Sequence, residues 1–462
     1  MVDKKRVLVL AVLSISSVTS FYFTSEVLSL VERKALIILI FTAGLWTTEA
    51  VPLVATSLFI PVMQALLGVQ SLQLALQPFF DTVVMLLLGG FLLATAVEKH
   101  DLDEFFAFQI LRRVRRDARV VVFAVMAVSA FLSMWISNTA STALLITMTL
   151  KITRDVKDPK GNFSKILVLA TAYAATAGGL STLVGTTTCA MAAGFLNEMV
   201  GYEISFLGWS VFGFPVTLLQ LLAIWLILFM IFPTDVREIP IEGFETERLN
   251  RNQKITLAVF VSSVLLWLTG HLPDPLTNLI GWSGHGLSSS IVAGVIAVSL
   301  YFTGIIDSQD TSKANWNTLL LIGGGLSLSS LLSTSGLVNR ISQLLLILTG
   351  GGASSALTIS MIVFFGLGIS AIASNTASAG IFLPIAISLA GPVGLSPVVL
   401  AVAVGISTSL DFMLPAGTPP NAIAYSTGEV SMREMIGAGI LLDITGALIT
   451  IILALTIWPL FV

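Results

Sequence analysis

Two short runs of neutral polar residues stand out in an otherwise apolar chain. Trp135-Ile136-Ser137-Asn138-Thr139-Ala140-Ser141 is echoed by Ile372-Ala373-Ser374-Asn375-Thr376-Ala377-Ser378. Each is followed by a glycine–threonine pair, Gly185-Thr186 and Gly417-Thr418, and preceded by small residues, Gly89-Gly90-Phe91 and Gly324-Gly325-Leu326. The three features recur in one order at an offset of roughly 235 residues, which marks an internal repeat. Hydroxyl and amide oxygens, together with carbonyls freed where a helix is interrupted, make a hard and weakly charged cage suited to Na⁺. Free backbone N–H groups with Asn amides and Ser/Thr hydroxyls suit an anion. A single Ser-Asn-Thr would more simply serve close packing between membrane helices. Duplication, with a Gly-Thr break downstream each time, favours binding.

No lysine or arginine lies within either run or either Gly-Thr segment. Holding a dianion with neutral donors in a low-dielectric site is costly, and cations bound alongside would offset that cost. Obligatory coupling to a cation, most simply Na⁺, is therefore expected. One tip plus one break per half gives one cation site and half of an anion site. The two halves together give two cation sites and a grip on both ends of a small dianion. Cys189 is the single cysteine, which excludes an intrachain disulfide and a cysteine-built metal cluster. His100, His271 and His285 are scattered, and no nucleophile–base pair gathers, so no enzyme is expected.

The elements that must position these residues follow from composition. The chain has 462 residues, 55% hydrophobic and 11% charged, with mean hydropathy +0.96. A soluble domain carries about 25% charge, so the chain reads as an all-α polytopic membrane protein. The net charge of -3 points away from a nucleic-acid partner. Apolar windows place spans near 7–24, 35–48, 51–67, 82–97, 165–200, 207–233, 254–270, 289–305, 317–337, 394–427 and 436–460, about eleven crossings. The first is expected to be a retained helix rather than a cleaved signal peptide.

Two further apolar regions are too short on either side of their polar centres to cross twice. They read as re-entrant hairpins, 118–150 and 355–389, with Ser137-Asn138-Thr139 and Ser374-Asn375-Thr376 at their tips. Irregular backbone at membrane depth must be buried in protein or line a wet cavity. The segments 165–200 and 394–427 read as broken helices, interrupted over 182–188 and 415–421. Proline specifies the second interruption strongly through Pro415, Pro419 and Pro420, whereas glycine and threonines mark the first. Among acidic residues at or near membrane depth, Glu49, Asp81, Asp411 and Asp443, a functional and a capping role remain open. Asp411 draws notice because it precedes the second break.

With a cytoplasmic N-terminus, every one of the 23 lysines and arginines falls inside except Arg33, Lys34 and Arg340, as the positive-inside rule requires. The C-terminus is then outside, and the cluster Arg112–Arg119 reads as a cytoplasmic anchor beside membrane lipids. An odd number of crossings separates the two Ser-Asn-Thr elements, so the halves are expected to be inverted. The first repeat spans 1–233, a cytoplasmic linker 234–254 and the second repeat 255–462. Inverted repeats with broken helices are typical of secondary transporters, and they argue for alternating access over a channel.

The chain resembles the divalent anion:sodium symporter family in its paired Ser-Asn-Thr elements, in Trp46-Thr47-Thr48-Glu49-Ala50-Val51-Pro52 and in Gly417-Thr418-Pro419-Pro420-Asn421. The resemblance implies eleven transmembrane helices with two re-entrant hairpins, scaffold and transport domains, a homodimer, an elevator motion and a bacterial inner-membrane location. It implies a first Na⁺ site of Ser133, Ser137, Asn138 and Gly185 and a second of Ser370, Ala373, Asn375 and Gly417. Substrate carboxylates would meet Ser137, Asn138, Thr139 and Thr186 from one half and Ser374, Asn375, Thr376, Thr418 and Pro419 from the other. Where the family commonly reads Gly-Thr-Pro-Pro-Asn in the first half, this chain has Gly185-Thr186-Thr187-Thr188-Cys189. The function implied is Na⁺-coupled symport of C4-dicarboxylates such as succinate, malate and fumarate. Carriage of sulfate or tricarboxylates, or exchange, is the alternative.

Overall fold

In lipid every backbone N–H and C=O must be satisfied within the protein, so long apolar segments become helices. The computed structural model describes residues 4–154, 156–239, 248–348 and 354–462. Part of the linker expected at 234–254 lies outside the described residues. Among those described, extended pairing is confined to one bridge between Asp117 and Glu238, and every other regular element is a helix.

Helix starts carry the side chains that satisfy their first amides. Ser29 and Glu32 form a capping box for Leu30–Thr48, and Ser431 with Glu434 does the same for Met432–Thr456. Asp81 is a cap, its carboxylate accepting from Val83 N at 2.8 Å at the start of Thr82–Lys99. Asp443 also has a backbone partner, accepting from Phe412 N at 2.9 Å.

After a first helix, Lys4–Phe23, one order of elements occurs twice. Leu30–Thr48, Leu53–Leu66 and Thr82–Lys99 lead through a short helix, Leu102–Leu111, to a helix pair, Ala118–Ser133 and Asn138–Arg154. An interrupted helix follows, Asn162–Gly179 and Thr187–Val200, and then Phe206–Ile231. The second series runs Arg251–Leu268, Ser289–Phe302, Trp316–Ser335, Leu337–Leu348, the pair Ser355–Ser370 and Asn375–Val393, the interrupted Pro397–Ser407 and Pro419–Ser426, and Met432–Thr456. The short helices Leu102–Leu111 and Leu337–Leu348 are not among the spans expected from hydropathy.

The two series grip each other. Thr82–Lys99 lies along Ser289–Phe302, and Trp316–Ser335 lies along Leu53–Leu66. Small residues permit both approaches: a Cβ on Gly89 would enter the backbone of Ala293, and one on Gly324 would come within 2.7 Å of Ser57 Cα. The interrupted helices form the centre, and Asn162–Gly179 is buried from Ile166 to Gly179. Large apolar side chains point outward elsewhere, including Leu8, Phe23, Met230 and Phe302, the last 88% exposed. Six described helices are long and apolar enough to cross a membrane by themselves. Such an exterior fits hydrocarbon, not water.

One ion network ties the ends of two gripping helices. Asp310, with a side chain 3% exposed, takes Lys99 Nζ at 2.5 Å and Lys313 Nζ at 2.9 Å. The hydrogen bond from Lys99, with a further one from Lys313, holds the Asp310 carboxyl well below the usual carboxylate range against the opposing effect of burial. Removing the carboxylate leaves Lys99 with only the more distant Asp307, at 3.6 Å, so Asp310→Ala is expected to lower stability by about 2 kcal/mol, read as a reduced thermal midpoint in detergent. Because the folded value is depressed, the stabilisation is complete above about pH 4 and is lost only in stronger acid.

Candidate functional site

The two helix pairs are built alike. In the first, Ser141 Oγ reaches back to Ser129 O at 2.9 Å, holding the helices side by side. At its tip Ser137 Oγ accepts from Ala140 N at 3.1 Å, and Ser133 Oγ donates to Asn138 Oδ1. In the second, Ser374 Oγ accepts from Ala377 N at 3.4 Å, and Ser370 Oγ lies 2.7 Å from Asn375 Oδ1. Ser370 Oγ also lies 2.6 Å from Thr408 O, and its one proton can serve only one of the two acceptors. It is therefore in the first pair that a serine on the incoming helix fixes the amide orientation of the asparagine. With Oδ1 turned toward that serine, the Nδ2 donor is left for a different partner.

The breaks are satisfied by different chemistry. In the first, residues 180–186 leave the helix, and Thr182 Oγ1 donates to Met134 O at 2.6 Å while accepting from Gly185 N at 3.1 Å. Trp209 Nε1 donates to Leu180 O at 3.0 Å, and Thr217 Oγ1 to Ala177 O at 2.7 Å. In the second, residues 408–418 are non-helical, and Asn421 Nδ2 donates to both Asp411 O and Leu414 O at 3.0 Å. The helix therefore ends at Ser407 rather than at Leu414, where the prolines alone had placed the boundary. Tertiary donors take over the role of the missing helical bonds.

The departure Thr187-Thr188-Cys189 now has a structural account. Thr188 Oγ1 donates to Gly405 O at 2.7 Å on the other interrupted helix, a bond no proline could make. Cys189 occupies the repeat position of Asn421 and has only a 4.0 Å contact from Sγ to Leu180 O. Thr182 does the bridging in its place.

Around the first break, backbone and side-chain oxygens converge. A Cβ on Gly185 would stand 2.6 Å from Gly179 O and 2.8 Å from Ser133 O, and one on Gly179 would meet Asn138 Oδ1 and, at 3.1 Å, Gly185 O. Only glycine leaves this space open.

Both tips and both breaks face one cavity of about 750 Å³. Its wall includes Ser137, Asn138 and Thr139 with Gly185 and Thr186, and Ser374, Asn375 and Thr376 with Gly417, Thr418 and Pro419. Ser370 and Ala373 also reach it, whereas Ser133 is fully buried behind Asn138. Among the described residues no lysine or arginine lines this space, and Glu49, in a left-handed backbone conformation with φ 47°, is its acidic residue. Asn315 and Thr318 were not expected there. Asn315 caps its helix through Thr318 N at 3.2 Å, and an N-cap read from sequence carries no sign that it also borders a cavity.

A helical membrane protein whose two like halves bring interrupted helices to one polar cavity belongs to the class of secondary transporters. The sequence matches the family described as sodium:sulfate symporter transmembrane region over residues 3–462, and the chain belongs to it. It is similar to an uncharacterized transporter of Haemophilus influenzae, 32% identical over 92% of each chain. It is 30% identical to the sodium-dependent dicarboxylate transporter SdcS of Staphylococcus saprophyticus, over 92% of this chain and 86% of that one. The fold is shared with the YdaH transporter of Alcanivorax borkumensis, with TM-score 0.59, 16% identity and coverage of 81% and 84%. It is shared also with MtrF of Neisseria gonorrhoeae, with TM-score 0.58, 14% identity and coverage of 85% and 84%. The chain is a membrane transporter, not an enzyme.

Proposed function

We propose that this protein is a Na⁺-coupled symporter of C4-dicarboxylates. The observation that carries this reading is the convergence of two Ser–Asn pairs and two glycine breaks on one cavity without basic side chains. One Na⁺ is held by Ser133, Ser137, Asn138 and Gly185, and a second by Ser370, Ala373, Asn375 and Gly417, the small residues offering carbonyls. Each asparagine turns Oδ1 to the cation and Nδ2 to a carboxylate. The carboxylates are met by Ser137, Asn138, Thr139 and Thr186 on one side and by Ser374, Asn375, Thr376, Thr418 and Pro419 on the other. The Staphylococcus relatives are named sodium-dependent dicarboxylate transporters, which supports this reading.

The halves, 1–233 and 255–462, are inverted repeats joined by a linker. The helix pairs and interrupted helices form a transport body that moves as an elevator against a scaffold. The protein works as a homodimer in a bacterial inner membrane, with its N-terminus in the cytoplasm and its C-terminus outside. A lining without basic side chains among the described residues makes cations obligatory, because their charge offsets that of the dianion. Concentrative uptake of labelled succinate by reconstituted protein is expected to vanish when external Na⁺ is replaced by choline at fixed pH and voltage. Uptake unchanged by the replacement would refute the coupling. Competition by unlabelled malate and fumarate but not by sulfate or citrate is expected; the reverse pattern would favour the sulfate or tricarboxylate alternative.

A further inference from the structure

The two breaks differ by one carboxylate. Gly179 lies six positions before Gly185, and its counterpart, six positions before Gly417, is Asp411. Asp411 is 2% exposed, and neither of its carboxylate oxygens has a hydrogen-bond partner. Both oxygens lie against Cα of Gly417, in the space a Cβ there would fill. None of the ion pairs among the described residues involves Asp411. The neighbouring groups offer no compensation: Asp443 is already bonded to Phe412 N, and Tyr173 Oη reaches Met435 O at 3.5 Å. Asn421 makes the contrast sharper. Its Nδ2 holds the backbone carbonyl of Asp411, and its own Oδ1 is also unpartnered.

A buried carboxylate without partners either takes up a proton or is met by something positive. The first half has no side chain at this place, because Gly179 must leave room for Asn138. We propose that Asp411 is a direct ligand of the cation at the second break, so that this site carries a negative charge and the site at the first break does not. The inference rests on the Na⁺-coupled reading above. The second site then fills at lower Na⁺ concentration and before the dianion arrives, while the first, built of neutral oxygens, depends on the substrate's own charge. The two cations are bound unequally and in order.

The test is a Na⁺ titration of the purified full-length protein without substrate, replacing choline at constant ionic strength and following the thermal unfolding midpoint. Wild-type protein is expected to gain stability with rising Na⁺. Asp411→Asn, which keeps the shape and removes the charge, is expected to need at least tenfold more Na⁺ for the same gain, while in choline its midpoint equals or exceeds that of wild type. Asp411→Ser, which keeps one oxygen, is expected to behave alike. A Na⁺ dependence unchanged from wild type in either folded variant would overturn the proposal. So would failure of both variants to fold in choline, since that would make the carboxylate a structural group. Wild-type protein indifferent to Na⁺ would instead remove the Na⁺-coupled reading itself.

Discussion

Replacing Asn138 or Asn375 by alanine is expected to raise both the Na⁺ concentration for half-maximal uptake and the succinate KM at least tenfold. Each asparagine lies within hydrogen-bond reach of a serine on the preceding helix, which in the first pair gives its amide a defined direction before any ligand arrives. A hydrogen bond to a charged group is worth about 1.5–3 kcal/mol, and about 1.4 kcal/mol is a factor of ten. Truncation removes a cation ligand and an anion donor together. Na⁺-activation curves at several succinate concentrations distinguish the cases. A variant with weakened succinate affinity and unaltered Na⁺ dependence would contradict the placement of these asparagines between cation and anion.

Gly185→Ala is expected to reduce uptake at least about a hundredfold. The added methyl would stand 2.6 Å from Gly179 O, 2.7 Å from Gly179 Cα and 2.8 Å from Ser133 O. All three are backbone atoms, which cannot swing aside as a flexible side chain would, so the break must open and its oxygens part. Overpacking of this kind costs about 1–3 kcal/mol, and the oxygens displaced are the proposed cation ligands. Gly368→Ala provides the control, since a Cβ there meets nothing within 4 Å. Equal uptake by the two variants at matched protein levels would refute the role given to Gly185.

Much of the architecture was legible because the bilayer imposes it. Apolar length gives helices, and Ser-Asn-Thr flanked by segments too short to span gave the positions of both tips. The breaks were legible in part. Proline at 415, 419 and 420 marks the second, yet the helix stops at Ser407, and Asp443 and Asn421 take over later backbone groups. Those partners are distant in sequence, and a local window does not register them. The first break has no proline, and its stability comes from Thr182, Trp209 and Thr217. The short helices Leu102–Leu111 and Leu337–Leu348 escaped notice because neither is long enough to cross a membrane. Asp81, beside an apolar run, left a functional and a capping role equally open, and the structure gives it a cap.

The chamber at the meeting of the two halves, about 750 Å³, falls in the range that accommodates drug-sized molecules, and a four-carbon diacid fills only a minor part of it. A compound bearing the same paired carboxylates on a bulkier frame can therefore be seated without being carried. Its extra arm would reach Glu49, Asn315 and Thr318, which also line the chamber, and would wedge the walls apart. Blockers of this carrier are best sought as enlarged diacids with a donor directed at Glu49.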